Sequence, residues 1–320
     1  MTPSPPTALV LLATFNGERY LEAQIASILG QRDSDVRILV RDDRSLDATP
    51  ALLDRLARQN ANIRILHDEQ PRLGYARNFS ALMTAALKTE ASCVILADQD
   101  DVWDEWRAQH QILHLRSLEA AAPSRTPCLS YCGYALIDSS GHPLAPRRRL
   151  ATAVAPATLQ TLLAGNTIPG CTMAMNRSLL EVATPVPDCI RNHDHWIALC
   201  AAAYGRIGRI AADLLQYRQH SDNAIGSSGI LSSLLHDPRA ALAKLLRHRD
   251  DMRRLRDVLH TLRSRGTSTL RSDLAALLQK AEDICASKRR IARYLALRKL
   301  GIAPRDCRYH LFWLGKNLLG

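Results

Sequence analysis

The sequence has 320 residues, 47% hydrophobic and 23% charged, which excludes a disordered chain and leaves room for one large domain and a smaller appendage. Its formal charge of +11 is unevenly placed: from His236 onward 20 Lys and Arg face 8 Asp and Glu, whereas residues 1–235 hold 22 against 23. The main domain is therefore electrically balanced, and only the last quarter has the basic character expected of a partner for an anionic surface. The eight cysteines, at 93, 128, 132, 171, 189, 200, 285 and 307, form no Cys-x-x-Cys pair, and several lie in apolar runs. They read as reduced, mostly buried thiols of a cytosolic protein. The opening Met-Thr-Pro-Ser-Pro-Pro lacks the features of a signal peptide, so none is expected. No stretch approaches the roughly 18–20 apolar residues of a membrane span.

In chain order, residues 8–14 (Ala-Leu-Val-Leu-Leu-Ala-Thr) form a continuous apolar run, as in a strand buried on both faces. A helix follows over 18–29, with Tyr20, Leu21, Ile25, Ile28 and Leu29 at helical spacing. Strands are predicted at 36–40, 62–66 and 92–97, with helices at 47–57 and 75–87 between them. This alternation predicts βαβ units and a mostly parallel sheet, an α/β fold of Rossmann-like type. Residues 128–137 read as a strand leading to a turn at 138–141, and 146–149 as an exposed loop. A short helix at 158–163, a strand or loop at 170–175, a buried helix at 196–203 and strands at 207–211 and 214–217 complete the domain. After 226–229 the character changes. Asp237-Pro238 opens a long helix with Leu242, Leu245, Leu246, Met252, Leu255, Leu259 and Leu262 as its stripe, ending at Gly266. A second runs from about Ser272 to Leu300, with Leu277, Leu278, Ala281, Ile284, Ile291 and Leu295 inward and Gly301 as its C-cap. The expected division is 1–228 for the α/β domain and 229–320 for a basic amphipathic helical extension.

Ligands of a parallel α/β sheet bind outside the carboxyl ends of its strands. Those ends carry Thr14-Phe15-Asn16-Gly17, Asp42-Asp43, His67-Asp68 and Asp98-Gln99-Asp100-Asp101. Crowded carboxylates repel one another, so the cluster calls for a cation or a substrate donor. Neither Gly-x-Gly-x-x-Gly nor a Gly-Lys-Ser/Thr loop is present, so a diphosphate would be held through Mg²⁺ or Mn²⁺ on the aspartates rather than in a backbone cradle.

Residues 12–21 (Leu-Ala-Thr-Phe-Asn-Gly-Glu-Arg-Tyr-Leu), 41–47 (Arg-Asp-Asp-Arg-Ser-Leu-Asp), 73–79 (Leu-Gly-Tyr-Ala-Arg-Asn-Phe) and 97–103 (Ala-Asp-Gln-Asp-Asp-Val-Trp) resemble glycosyltransferase family 2 in order and spacing. Gly170–Arg177, His193-Asp-His-Trp196 and Tyr217-Arg-Gln-His220 extend the likeness to about residue 226, closest to a bacterial branch described as rhamnosyltransferases of surface polysaccharide. The resemblance implies a GT-A fold and an inverting transfer from a nucleotide sugar, dTDP- or UDP-linked, to a saccharide or lipid-linked acceptor. It implies nucleotide contacts from Thr14, Phe15, Asn16, Asp43, Arg77 and Asp98, metal contacts from Asp100, Asp101 and His220, and Asp194 as the base. His193, Trp196 and Trp103 would line the acceptor side, the two tryptophans as packing residues that also wall the site. His193 stands where the family commonly has an acidic residue, and a neutral or cationic neighbour helps keep Asp194 ionised.

Plainer readings stand beside these. Asp43 and Asp47 could cap the second helix, Asp194 and its flanking histidines could form a structural cluster or a transition-metal site, His220 could be a satisfied loop histidine, and Phe15 could be core. A nucleotidyltransferase would want a Gly-rich basic loop after the first strand, which is missing. A silent nucleotide-sugar binder would be expected to have lost the aspartates or Asp194, which are present. The basic C-terminal helices, sparse in aromatics and without a DNA-reading motif, suit anionic lipid headgroups at the inner membrane face better than nucleic acid.

Overall fold

A computed structural model describes residues 7–144, 157–220, 251–265 and 270–302. The chain divides into two compact units, Met1–Ala153 with Thr167–Gln219, and Val154–Asn166 with His220–Gly320. The expected loop at 146–149, the turn at 226–229, the helix start at Asp237-Pro238 and Gly266 fall outside the described residues.

The first unit is built on an eight-stranded sheet of order β3-β2-β1-β4-β7-β6-β8-β5. Its strands are β1 (Thr7–Thr14), β2 (Asp35–Asp42), β3 (Ile63–Ile65), β4 (Cys93–Ala97), β5 (Val102–Trp103), β6 (Cys128–Ile137), β7 (Met173–Asn176) and β8 (Arg206–Arg218). The helices are α1 (Leu21–Leu29), α2 (Thr49–Gln59), α3 (Tyr75–Ala86), α4 (Arg107–Ala120), α6 (Arg177–Ala183) and α7 (His193–Tyr204), while α5 (Leu159–Ala164) belongs to the second unit. Strands β1 to β4 pair in parallel, β7 runs antiparallel to both β4 and β6, and β6 pairs in parallel with β8. The sheet is thus mostly parallel, with helices on its faces. Val10, Leu12, Ile38, Val40, Ile95 and Ala97 are buried together at its centre, against Leu21, Ile25 and Ile28 of α1.

The order 3-2-1-4 places the functional crevice. From β1 the chain steps outward through β2 and β3, then returns by α3 to lay β4 on the other side of β1. Loops after β1 and β4 therefore diverge, leaving the crevice such a switch point creates at the carboxyl ends.

One buried cation holds the β2 side of this crevice. Arg41 is 1% exposed, and its Nε and Nη2 meet the Asp68 carboxylate at 2.7 and 3.1 Å. Its Nη1 donates to Asp43 Oδ1 at 2.8 Å and Asn78 Oδ1 at 3.1 Å, joining the ends of β2 and β3 to α3. Hydrogen bonding to Arg41 holds Asp68 below the usual carboxylate range.

The sequence reading missed α4, β5 and α6. In α4 the buried face includes Arg107 and Gln111 between Ala108, Ile112 and Leu115, so polar side chains interrupt the apolar stripe. The two strands expected at 207–211 and 214–217 are one, β8, which stays paired with β6 through register shifts at Gly133. Helix α7 begins at His193 rather than Trp196, which brings Asp194 into its first turn.

In the second unit a helix spans Asp251–Arg265, burying Met252, Leu259 and Leu262. Its His260 and Arg263 both meet Glu282 at 3.2 Å. The single helix expected over 272–300 is two, Ser272–Ala286 and Arg290–Lys299. At the break, Ser287 Oγ accepts the Arg289 amide at 3.3 Å and Ser287 O accepts Arg293 Nη1 at 3.2 Å. The break resets the helical phase, so Arg293, Tyr294 and Leu297 are buried, while Ile291 and Leu295, expected inward, are 64% and 49% exposed. Gly301 ends the helix as expected: its φ is +76°, its amide donates to Arg298 O, and Ile302 N–H donates to Leu297 O. No helix among the described residues is long and apolar enough to cross a membrane.

Removing Arg41 would strand buried carboxylates. Arg41→Met is expected to lower unfolding free energy by about 3–5 kcal/mol, read from urea denaturation; a loss below about 1 kcal/mol would show that the pair is not what joins these strand ends.

Candidate active site

The turn after β1 is held by side chains from two other loops. Phe15 N–H donates to Gln99 Oε1 at 2.8 Å and Gln99 Nε2 donates back to Phe15 O at 3.0 Å, a strand-like pair made by one side chain. Asn16 N–H reaches Ser45 Oγ at 2.7 Å, Gly17 N–H reaches Thr49 Oγ1 at 2.8 Å, and Glu18 N–H reaches Asp47 Oδ2 at 3.1 Å. A Cβ on Gly17 would displace the Gln99 carboxamide from its paired hydrogen bonds with Phe15. Thr14 Oγ1 donates to Asp42 Oδ1 at 3.0 Å, tying the end of β1 to β2. Arg72 stacks over half-buried Phe15, its guanidinium carbon 3.7 Å from the ring centroid, a cation–π contact the sequence reading did not anticipate.

Asp43 is buried, and its carboxylate accepts three of the protein's own donors. Besides Arg41, Leu73 N–H binds Oδ1 at 2.8 Å and Gly74 N–H binds Oδ2 at 2.7 Å. Its evident role is to fix the loop entering α3. It does not cap α2; Asp47 does the local work there, its Oδ1 accepting Thr49 N–H at 3.0 Å. Arg77, on α3, pairs with Asp188 at 3.0 Å with both side chains largely in solvent.

The loop after β4 carries the acidic cluster. Asp101 is 1% exposed; its Oδ1 accepts Arg218 N–H at 3.1 Å, and its Oδ2 has no hydrogen-bond partner among the described residues. Arg218, at the end of β8, also donates from Nε to Asp100 O at 2.7 Å, clamping this loop from its far side. Asp98 is held through its backbone, with Gln24 Nε2 on its carbonyl at 2.8 Å. Burial, followed by the charges of Asp101, Asp100 and Asp194, pushes the Asp98 carboxyl well above the usual carboxylate range. Burial and the charge of Asp100 push Asp101 up to about 7.

Antiparallel β7 brings a third polar group to these two. Cys93 lies opposite Asn176 and Ile95 opposite Ala174, so the same register carried past the strand ends sets Cys171 across from Asp98. One donor atom each of Asp98, Asp101 and Cys171 lie within 4.8 Å of one another. Beneath them sits fully buried Arg107, which donates to the carbonyls of Cys171 and Leu96, bonds Gln111 at 3.1 Å and stacks on Trp103 at 3.8 Å. Burial lowers the Arg107 pKa, and Cys132, Cys171, Asp101 and Asp98 oppose that. Arg107, Cys171, Gln99 and Arg218 were not singled out from sequence, since their roles depend on strand pairing.

Helix α7 completes the wall. Its start packs so closely on Gly170 that a Cβ there would lie 2.9 Å from His193 Nε2 and 3.2 Å from Asp194 Cβ. Asp194 is buried in the first turn, where the helix dipole favours an anion, and its Oδ1 accepts His195 N–H at 2.6 Å. His193 stacks on Phe79 at 3.9 Å, both its ring nitrogens lack hydrogen-bond partners among the described residues, and burial takes its pKa down to about 3. It is a neutral packing ring. Tyr75 donates to Asn192 Oδ1 at 2.7 Å just ahead of α7.

Both acceptor-side tryptophans pack the interior, the packing part of what the sequence suggests for them. Trp196 is fully buried and gives its indole N–H to Ala183 O at 2.9 Å, which makes it a core residue with no surface to offer a sugar. Trp103 is 5% exposed under Arg107 and likewise packs the interior. His220 is half-buried and belongs to the second unit.

The cluster fits a divalent cation. Two carboxylates that resist ionising together, one with a buried oxygen lacking a donor, describe an oxygen-rich place where a cation would relieve repulsion.

Comparison with known proteins agrees with this geometry. Residues 9–130 match the model for glycosyl transferase family 2. An uncharacterized glycosyltransferase of Nostoc sp. is 27% identical over 217 residues, covering 67% of this chain and 65% of its own. A dTDP-rhamnosyl transferase of Shigella flexneri is 32% identical over 93 residues, 29% of this chain and 32% of that protein. The chain thus spans less than two thirds of the length of these curated relatives. A mannosyltransferase from Pyrobaculum calidifontis, solved in complex with GDP-Man and Mn²⁺, superposes with a TM-score of 0.53 at 17% identity, covering 99% of this chain and 88% of that one, a likeness of fold. Residues 9–130, which build the parallel half of this GT-A-like sheet and its switch-point crevice, carry the chain's similarity to glycosyl transferase family 2.

Proposed function

We propose that this chain transfers a sugar from a nucleotide-diphosphate donor to a saccharide or lipid-linked acceptor in bacterial surface polysaccharide assembly, with rhamnose the leading candidate sugar. The observation that carries this reading is the pairing of half-buried Asp98 with buried Asp101 at the β1/β4 crevice, within electrostatic reach of Asp194 on the first turn of α7. The Shigella relative's description as a dTDP-rhamnosyl transferase favours that donor.

In this reading the nucleoside sits against the turn Thr14-Phe15-Asn16, with Phe15 and Arg72 as its stacking surface and Asp43 keeping the neighbouring loop in place. Asp98, Asp100 and Asp101 hold Mg²⁺ or Mn²⁺. The cation supplies charge neutralisation at the leaving diphosphate. Arg77 adds to this: its exposed pair with Asp188 is worth at most about 1 kcal/mol, so a diphosphate can draw it away. Asp194 takes the proton of the acceptor hydroxyl, which attacks the anomeric carbon from the face opposite the diphosphate, so configuration inverts. His193, neutral down to about pH 3, leaves that proton to Asp194.

The basic C-terminal helices supply the site of action. Exposed Ile291 and Leu295 share one face of Arg290–Lys299, beside Arg289, Arg298 and Lys299, a pattern suited to an anionic bilayer surface at the cytoplasmic face of the inner membrane.

Two experiments test these assignments. In a screen of dTDP- and UDP-sugars with Mn²⁺, Asp101→Ala should lose donor binding. Asp194→Asn should keep binding while turnover falls at least about 10²-fold; absence of binding to any nucleotide sugar would remove the reading. In sedimentation with phosphatidylglycerol vesicles, binding should weaken with added salt and with Ile291→Ser/Leu295→Ser, and equal binding to neutral vesicles would count against the membrane role.

A further inference from the structure

We propose that Cys171 is a third donor to the cation held by Asp98 and Asp101, making this centre receptive to thiophilic divalent ions as well as to Mg²⁺ or Mn²⁺. The inference rests on the cation-binding reading of the cluster and adds a ligand to it. Three observations support it independently of the aspartates' presence in sequence.

The first is register. Pairing of β4 with β7 sets Cys171 across from Asp98, and the three donor atoms lie within 4.8 Å of one another. That spread is close to the span across one ion, twice a metal–ligand distance of about 2.0–2.3 Å. The second is an unfilled acceptor: Asp101 Oδ2 is buried in a side chain 1% exposed and receives no hydrogen bond from a described residue. The third is charge. A thiolate beside two carboxylates needs more positive charge than one divalent ion supplies, and Arg107 provides it from below, with its Nη2 on the Cys171 carbonyl and its Nη1 without a hydrogen-bond partner among the described residues. The neighbouring Cys132 gives its thiol to Thr172 O at 3.7 Å.

On binding a soft or borderline ion the Cys171 S–H bond breaks, its proton passes to solvent, and the sulfur lone pair binds the metal; with Mg²⁺ the thiol keeps its proton. The site would then rank Cd²⁺, Zn²⁺ and Co²⁺ above Mg²⁺, an order that carboxylates alone would not impose so steeply.

The test uses the full chain titrated with Cd²⁺ and Co²⁺ under reducing conditions, read by thiolate-to-metal charge-transfer absorption, with Mn²⁺ binding followed in parallel by electron paramagnetic resonance. The expected result is a band that saturates at one ion per chain and is displaced by excess Mn²⁺. It should persist in Cys132→Ser and vanish in Cys171→Ser, whose Cd²⁺ affinity should fall by at least the about tenfold that loss of even an outer-sphere partner costs. Wild-type protein that binds Mn²⁺ in an Asp101-dependent way but develops no band with Cd²⁺ would overturn the Cys171 assignment and leave the proposed function standing. Failure of any divalent ion to bind would overturn both. The wild-type spectrum decides the matter even if Cys171→Ser folds poorly.

Discussion

Carboxylates forced together out of water are the constraint around which this domain is arranged. At the switch point between β1 and β4, Asp98 and Asp101 are placed where burial and mutual repulsion both oppose ionisation, and Asp100 and Asp194 add to the same field. Such a cluster costs stability unless positive charge is brought to it. The protein brings some: Arg107 lies beneath the cluster, and Arg218 clamps the 100–101 backbone. On the proposed function, the remainder is left for a cation and the diphosphate it accompanies.

Around this core the structure separates groups that position from groups that react. Arg41 and Asp43 sit closest to the strand ends, yet their hydrogen-bonding capacity is spent on one another, on Asp68, on Asn78 and on the loop before α3. Gln99 and Ser45 stiffen the turn at Phe15 in the same way. Charge-bearing atoms with unmet capacity are concentrated at Asp101, whose neighbours are already immobile. A cation or substrate entering such a site has little reorganisation to drive, which is the condition for electrostatic stabilisation to be effective.

Much of this could be read from the sequence, for identifiable reasons. Strands β1, β2 and β4 are continuous apolar runs and α1 to α3 carry regular stripes, so the parallel half of the sheet and the polar residues after each strand followed directly. What escaped depends on pairing between distant segments. Cys171 looks like any buried thiol until β7 is laid antiparallel on β4, and Arg107 hides in a helix whose inward face is partly polar. Asp43 has the composition of a ligand contact, and its bonds to Arg41, Leu73 and Gly74 appear only once the loop before α3 is folded against β2. Ile291 illustrates the phase problem: a helix that restarts after a break turns different side chains inward.

The central claim is that the Asp98–Asp101 pair is held in a repulsive state that a cation relieves, and thermal unfolding against pH tests it most directly. An isolated Asp ionises near pH ~3.9, whereas Asp101 in the fold does so at about 7. A carboxyl raised on folding favours the native state when protonated, so its contribution is lost as pH rises through that window. Without metal, Asp101→Asn should therefore be more stable than wild type above about pH 7, with the gap closing toward acid. Saturating Mn²⁺ should reverse the order on the alkaline side by stabilising the wild type alone. A wild type that is the more stable protein at every pH without metal, with a gap that Mn²⁺ does not change, would contradict the account.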